Sequence, residues 1–151
     1  MDTQVAELLG GEGVLGTSVK SNLDLARATR EGLPTQAAVQ LATLILDCVP
    51  EGPLGPLIAY RPSTSEFRGL VNGLIGLPRR LTLEQSDVVV RIAGAVARAI
   101  DVLGDRKKAV RWLTASNRAL GGEIPITLLD TSAGAHEVET VLDRIEYGVY
   151  S

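Results

Sequence analysis

The chain has 151 residues, of which 45% are hydrophobic and 22% charged, with a net charge of −3. This supports one domain, or two small closely packed ones, around a buried core and excludes a wholly disordered protein. A single cysteine, Cys48, excludes an intrachain disulfide and a cysteine cluster for zinc, and no apolar run approaches the roughly 20 residues of a membrane span.

Five aromatic residues, Phe67, Trp112, Tyr60, Tyr147 and Tyr150, leave the core to Leu, Val, Ile and Ala, a composition that points to packed helices. The N-terminus reads as a short helical stretch, VAELL, followed by a glycine-rich loop, GGEGVLG. Ser21 is placed to cap a helix through NLDLARATRE that ends at Gly32. Pro34 and Thr35 restart the chain, and Ala38, Leu41, Ile45 and Val49 fall near helical spacing before Pro50 stops it. Cys48 lies in this apolar run and reads as a buried small hydrophobe rather than a nucleophile.

Pro53, Gly55 and Pro56 then punctuate a stretch with room for one turn near Leu57 to Tyr60. Ser63 and Glu66 form a capping-box pair that opens a helix with Phe67, Leu70, Val71 and Leu74 on one stripe, closed by Gly76 and Pro78. Thr82 and Gln85 repeat the capping pattern. The long helix after them is expected to face inward through Val89, Ile92, Val96, Ile100 and Leu103 and to end at Gly104. Its VVV run at 88–90 is short enough for a strand, but it sits inside a helical period and reads as helix.

Asp105 caps the next helix, with Ala109, Val110, Trp112 and Leu113 inward, and Gly121 and Gly122 make a loop. Pro125 suits the first turn of a short helix, PITLLD. Thr131 or Ser132 starts the last helix, where Val138, Val141, Leu142 and Ile145 follow helical spacing before it frays at Gly148. The fold class expected is all-α.

Charge is unevenly distributed. Residues 1–60 hold three basic and seven acidic groups, 61–118 eleven basic and five acidic, and 119–151 one basic and six acidic. The middle block suits phosphate and the last a basic cleft, although solvated helix faces give the same pattern. The one histidine, His136, has no cysteine or carboxylate at ligand spacing and assembles no Ser/His/Asp set. The stretch GGEGVLG lacks the G-x-x-x-x-G-K-[ST] pattern of a phosphate loop. These features argue against an enzyme, and no cofactor is expected.

Four runs carry a family likeness: RRLTLEQSD at 79–87, GDRKKAVRWL at 104–113, ALGGEIPITLLDTSAG at 119–134 and RIEYGVY at 144–150. In order and spacing they resemble the antitoxins of the Xre/MbcA/ParS type that pair with RES-domain toxins; GLP at 32–34 fits more loosely. The resemblance implies a Cro/Xre-like helix-turn-helix region at 1–80 followed by a small helical toxin-binding domain at 81–151. It also implies an antitoxin that binds and neutralises a cognate RES-domain toxin, an NAD-degrading enzyme, and represses its own operon by binding operator DNA. With no signal-peptide pattern and no membrane-length apolar run, a cytoplasmic protein is the expectation. A homodimer on a palindromic operator is expected, with no membrane association.

On this reading the toxin-binding residues are Trp112, Arg144, Ile145, Tyr147, Gly148, Val149, Tyr150 and Ser151. The tail is expected to occlude the toxin's NAD site, its tyrosines supplying contact area at little entropic cost. Packing of Tyr147 and Tyr150 back on the bundle is the alternative, and Trp112 reads as an interface anchor or as a core pin. The DNA-binding residues expected are Arg61, Ser63, Thr64, Ser65 and Arg68, with Arg79 and Arg80 reaching phosphates. The run STSEFRGLVNGLIGLP departs from the family pattern, with one arginine followed by an apolar, glycine-bearing stretch. That departure fits dimer contact and phosphate binding as well as base reading. A stand-alone helix-turn-helix regulator whose C-terminal domain only dimerises is the competing function.

Overall fold

The computed structural model describes residues 2–48 and 80–148. The turn expected near Leu57, the helix opened by Ser63 and Glu66, and residues Val149, Tyr150 and Ser151 lie outside the described residues. The described residues form helices and turns, with one isolated antiparallel bridge between Pro34 and Arg80, so the fold is all-α as expected.

Helix α1 spans Asp2–Leu8 and α2 spans Gly11–Leu15. The glycine-rich stretch is therefore not a plain loop as expected: its middle closes one short helix that buries Leu15. Gly10 (φ 103°) turns the chain between the two helices in a conformation few other residues adopt. Helix α3, Asn22–Glu31, starts where Ser21 Oγ accepts from the Asp24 N–H at 3.2 Å. The Asp24 carboxylate accepts in turn from the Lys20 N–H at 3.1 Å, which holds its carboxyl below the usual aspartate range.

Helix α4, Thr35–Cys48, turns Ala37, Leu41 and Ile45 into the core. Ala38, expected on that face, is half-buried, and Ala37 beside it is the fully buried residue. Cys48 is half-buried against the core.

Helix α5, Leu83–Leu103, is the centre of the bundle, in contact with α1, α3, α4 and the two helices that follow it. Both halves of its capping box are made: the Gln85 N–H donates to Thr82 Oγ1 at 3.1 Å, and the Thr82 N–H to Gln85 Oε1 at 3.0 Å. Its most buried residues are Ser86, Ala93, Ala95, Val96, Ala97 and Ala99, whereas Val89, Ile92, Ile100 and Leu103 are half-buried. The expected stripe is met in part: Val96 is fully buried and Val89, Ile92 and Ile100 pack half-buried against the core, while the helix buries its alanines as deeply or more so. A helix enclosed on several sides needs small side chains where neighbours come closest, and its bulky ones fill the edges.

Asp105 accepts from the Lys108 N–H at 3.2 Å to open α6, Arg106–Thr114, which buries Ala109, Val110 and Leu113. Two 3-10 turns follow, Arg118–Leu120 and Pro125–Asp130, the second where a short helix was expected. Helix α7, Ser132–Glu146, starts where Thr131 Oγ1 accepts from the Gly134 N–H at 3.0 Å. It packs Val138, Val141 and Leu142 against α5 and the Pro125–Asp130 turn, with Ile145 half-buried.

The core runs through both parts of the described chain, joining Val5, Leu9 and Leu33 to Val96, Leu113 and Leu142. A latch ties the start of α5 to the α3–α4 connection. The Leu81 N–H donates to the Leu33 carbonyl at 2.8 Å, and the Leu33 N–H donates to Ser86 Oγ at 2.9 Å. Arg80 Nη1 donates to the Gly32 carbonyl at 2.9 Å. Gly32 has φ 92°, and a Cβ there would lie 2.6 Å from the Leu81 carbonyl oxygen, so the latch closes around a glycine.

Candidate partner-binding surface

Helix α7 is amphipathic: its inner stripe seals the core, and its outer side carries Glu137, Glu139, Asp143, Arg144 and Glu146, all exposed. At its end Tyr147 is 73% exposed, although its N–H still donates to the Asp143 carbonyl at 2.9 Å. The ring therefore does not pack back on the bundle. Gly148 follows with φ 68°, turning the chain off the helix. Among the described residues the large apolar side chains left exposed are Leu23, Leu83 and Tyr147. Burying such a ring against a partner is worth about 1.5–3 kcal/mol, so an unburied one is a ready contact.

The end of α7 is held from α5. Arg98 Nη2 donates to Asp143 Oδ1 at 2.8 Å and also to Glu146 Oε2, so one guanidinium spans both carboxylates of the last helical turn. Glu146 and Asp143 together hold the Arg98 pKa above its usual value, against a small opposing effect of burial. The result is a fixed base for Tyr147. Sequence reading missed Arg98, Asp143 and Glu146. The spacing of the two acids places them on one helix face, but nothing in the sequence pairs them with an arginine 45 positions away.

The other expected residues are scattered. Arg144 is exposed and Ile145 half-buried, both on the turn that precedes Tyr147. Trp112 is half-buried and packed against the core, on a helix whose main neighbours are α4, α5 and the Pro125–Asp130 turn. That position favours its reading as a core pin. Of the residues expected to contact DNA, Arg80 is the described one, and its guanidinium is engaged with the Gly32 carbonyl. Arg61, Ser63, Thr64, Ser65, Arg68 and Arg79 lie outside the described residues, as do Val149, Tyr150 and Ser151.

The Gly121–Gly122 loop is closed on itself: the Gly122 N–H donates to the Asn117 carbonyl at 2.9 Å, and Ser116 Oγ to the Gly122 carbonyl at 2.6 Å. Gly134 was not singled out by sequence reading. A Cβ there would lie 1.9 Å from the Leu128 carbonyl oxygen, so α7 touches the preceding turn backbone to backbone.

His136 is exposed, and among the described residues no group of three His, Cys, Asp or Glu side chains is placed to hold a metal ion. Among them, too, no helix is long and apolar enough to cross a membrane. What the surface offers is contact: an anchored helix end, an exposed aromatic ring and a carboxylate-rich face.

Comparison with known proteins finds a family match that includes helix α7. Residues 98–148 match the family described as antitoxin Xre/MbcA/ParS C-terminal toxin-binding domain. A protein named antitoxin Xre from Yersinia enterocolitica is 37% identical over 73 residues, 48% of this chain and 49% of that protein. One of the same name from Photorhabdus laumondii is 34% identical over 73 residues, with the same coverage. A third, from Pseudomonas putida, is 37% identical over 68 residues, 45% of this chain and 43% of its own length. The chain thus matches about half the length of these relatives, all of which are named as antitoxins. The match begins at Arg98, which grips the end of α7, and runs to the glycine that turns the chain off that helix. Residues 98–148 are thus similar to the C-terminal toxin-binding domain of the Xre/MbcA/ParS antitoxins.

Proposed function

We propose that this chain is the antitoxin of a toxin–antitoxin pair, acting by binding its toxin and not by catalysis. The observation that carries this reading is Tyr147, 73% exposed at the end of the anchored helix of the family-matched segment. In our reading the partner is a RES-domain toxin that degrades NAD. Arg144, Ile145 and Tyr147 to Ser151 enter or cover its nicotinamide dinucleotide site, while Trp112 supports the surface from the core. The carboxylates of α7 that Arg98 does not hold, Glu137 and Glu139, favour a basic cleft such as an anionic cofactor requires. The chain also represses its own operon as a homodimer, through the segment that includes Arg61 to Arg68 with Arg79 and Arg80.

The test is neutralisation. The full chain co-expressed with the toxin encoded beside it restores growth and co-purifies with it. A chain lacking residues 147–151 keeps its thermal unfolding transition and loses both effects. Full protection by the shortened chain refutes occlusion by the tail. Absence of any complex with the neighbouring gene product refutes the antitoxin reading and favours a stand-alone regulator.

A further inference from the structure

Helix α6 carries Arg106, Lys107, Lys108 and Arg111, all exposed, and among the described residues none of the four has an ion-pair partner. The described arginines that do pair, Arg91 and Arg98, are both on α5. The buried side of α6 is fixed by Ala109, Val110 and Leu113, so helical geometry turns Lys107, Lys108 and Arg111 together onto the outer side. Two acids flank this helix: Asp105, which accepts from the Lys108 N–H, and Asp101 on the last turn of α5. Neither makes an ion pair with it among the described residues, and the four cations outnumber them.

Three features decide what such a face fits. None of the exposed large apolar residues Leu23, Leu83 and Tyr147 is on α6. Protein interfaces are centred on aromatic and apolar groups and depleted in lysine, so a bare cationic face is a poor protein-docking centre. The one aromatic ring of the helix, Trp112, is packed against the core, which leaves no stacking platform for single-stranded nucleic acid. In sequence, the block 61–118 to which this face belongs carries eleven basic residues against five acidic ones.

We propose that the outer face of α6 is a contact surface for the phosphate backbone of duplex DNA, with Lys107, Lys108 and Arg111 as its sequence-independent contacts. Such contacts position a protein on a duplex without reading bases. This surface does not depend on the toxin-binding reading or on the segment expected to read an operator. Each phosphate neutralised adds about 0.9 to the slope of log K against log salt.

The experiment measures binding of the full chain to a random-sequence duplex across a salt series, for the native sequence and for a K107Q/K108Q/R111Q variant. All three positions are exposed, so the variant is expected to keep the native melting temperature. The salt dependence of the variant is expected to be shallower by about 2.7, equivalent to roughly 500-fold weaker binding at 0.1 M salt. A K107R/K108R/R111K variant, which keeps every charge, binds as the native chain does. A slope that falls by less than two, or a native chain that does not bind the duplex at low salt, overturns the proposal. So does a glutamine variant that binds DNA normally but no longer co-purifies with its protein partner, since the face then belongs to that interface.

Discussion

Replacing Gly134 by alanine sets two effects of opposite sign against each other. Alanine is the better helix former by about 0.8–1.0 kcal/mol, so propensity alone says the change stabilises α7. The structure says otherwise. The added Cβ would sit 1.9 Å from the Leu128 carbonyl oxygen and 2.8 Å from its carbon, both backbone atoms that cannot rotate away. Real Cβ contacts essentially never fall below 3.0 Å, so α7 and the Pro125–Asp130 turn must part by about an ångström. Overpacking of a fixed backbone costs about 1–3 kcal/mol and occasionally more. The net is destabilisation by up to about 2 kcal/mol, or up to roughly 8 °C in melting temperature for a chain of this size. Gly94 is the internal control: it lies within α5, lines a cavity of about 230 Å³, and a Cβ there meets nothing within 4 Å. There the same substitution is expected to stabilise by up to about 1 kcal/mol. Thermal unfolding of both variants by circular dichroism is the assay. A Gly134→Ala protein more stable than the native one, as the Gly94→Ala protein is expected to be, refutes the backbone contact on which the placing of α7 rests.

Removing the Ser86 hydroxyl leaves the Leu33 N–H without its acceptor in the core, so Ser86→Ala is expected to cost about 1–3 kcal/mol in chemical denaturation. Arg98→Ala frees two carboxylates that are 52% and 39% exposed, so the loss is about 1 kcal/mol or less and shrinks with added salt. Its clearer readout is faster hydrogen exchange at the amides of the last turn of α7, with that of α3 unchanged. The Asp24 carboxyl is lowered by the Lys20 N–H and then by Ser21, so its contribution to the α3 cap is full above the ordinary aspartate value. It is lost as pH falls through the lowered native value. An NMR titration of Asp24 that shows an ordinary or raised pKa contradicts the cap.

Local chemistry was the part legible in sequence. Ser21, Thr82 with Gln85, Asp105 and Thr131 each cap the helix expected of them, because capping is decided within four residues. The inner stripe of α7 was equally plain, since that helix has one buried side. The face of α5 was legible in part: Val96 is buried and Val89, Ile92 and Ile100 pack against the core, but periodicity weights bulky residues and did not mark the alanines that an enclosed helix buries deeply. The glycine-rich stretch hid α2 for a related reason: composition signals a turn, but the turns fall at Gly10 and Gly16 and leave a helical turn between them. Contacts distant in sequence, Leu33 with Ser86 and Arg98 with Asp143 and Glu146, leave no local mark. Of the surface expected to bind the partner, Tyr147 was readable as the aromatic residue ending an amphipathic helix, whereas the arginine that fixes its base was not.

The core that joins α1, α3 and α4 to α5 and α7 has a consequence for turnover. A ligand that binds the native state alone deepens its well by about 2.7 kcal/mol at a hundredfold excess over the dissociation constant. In a cooperatively packed body that gain is shared, so a molecule seated on α7 protects α1 from proteases it never touches. The lifetime of the N-terminal helices thereby becomes a gauge of occupancy at the opposite end of the chain.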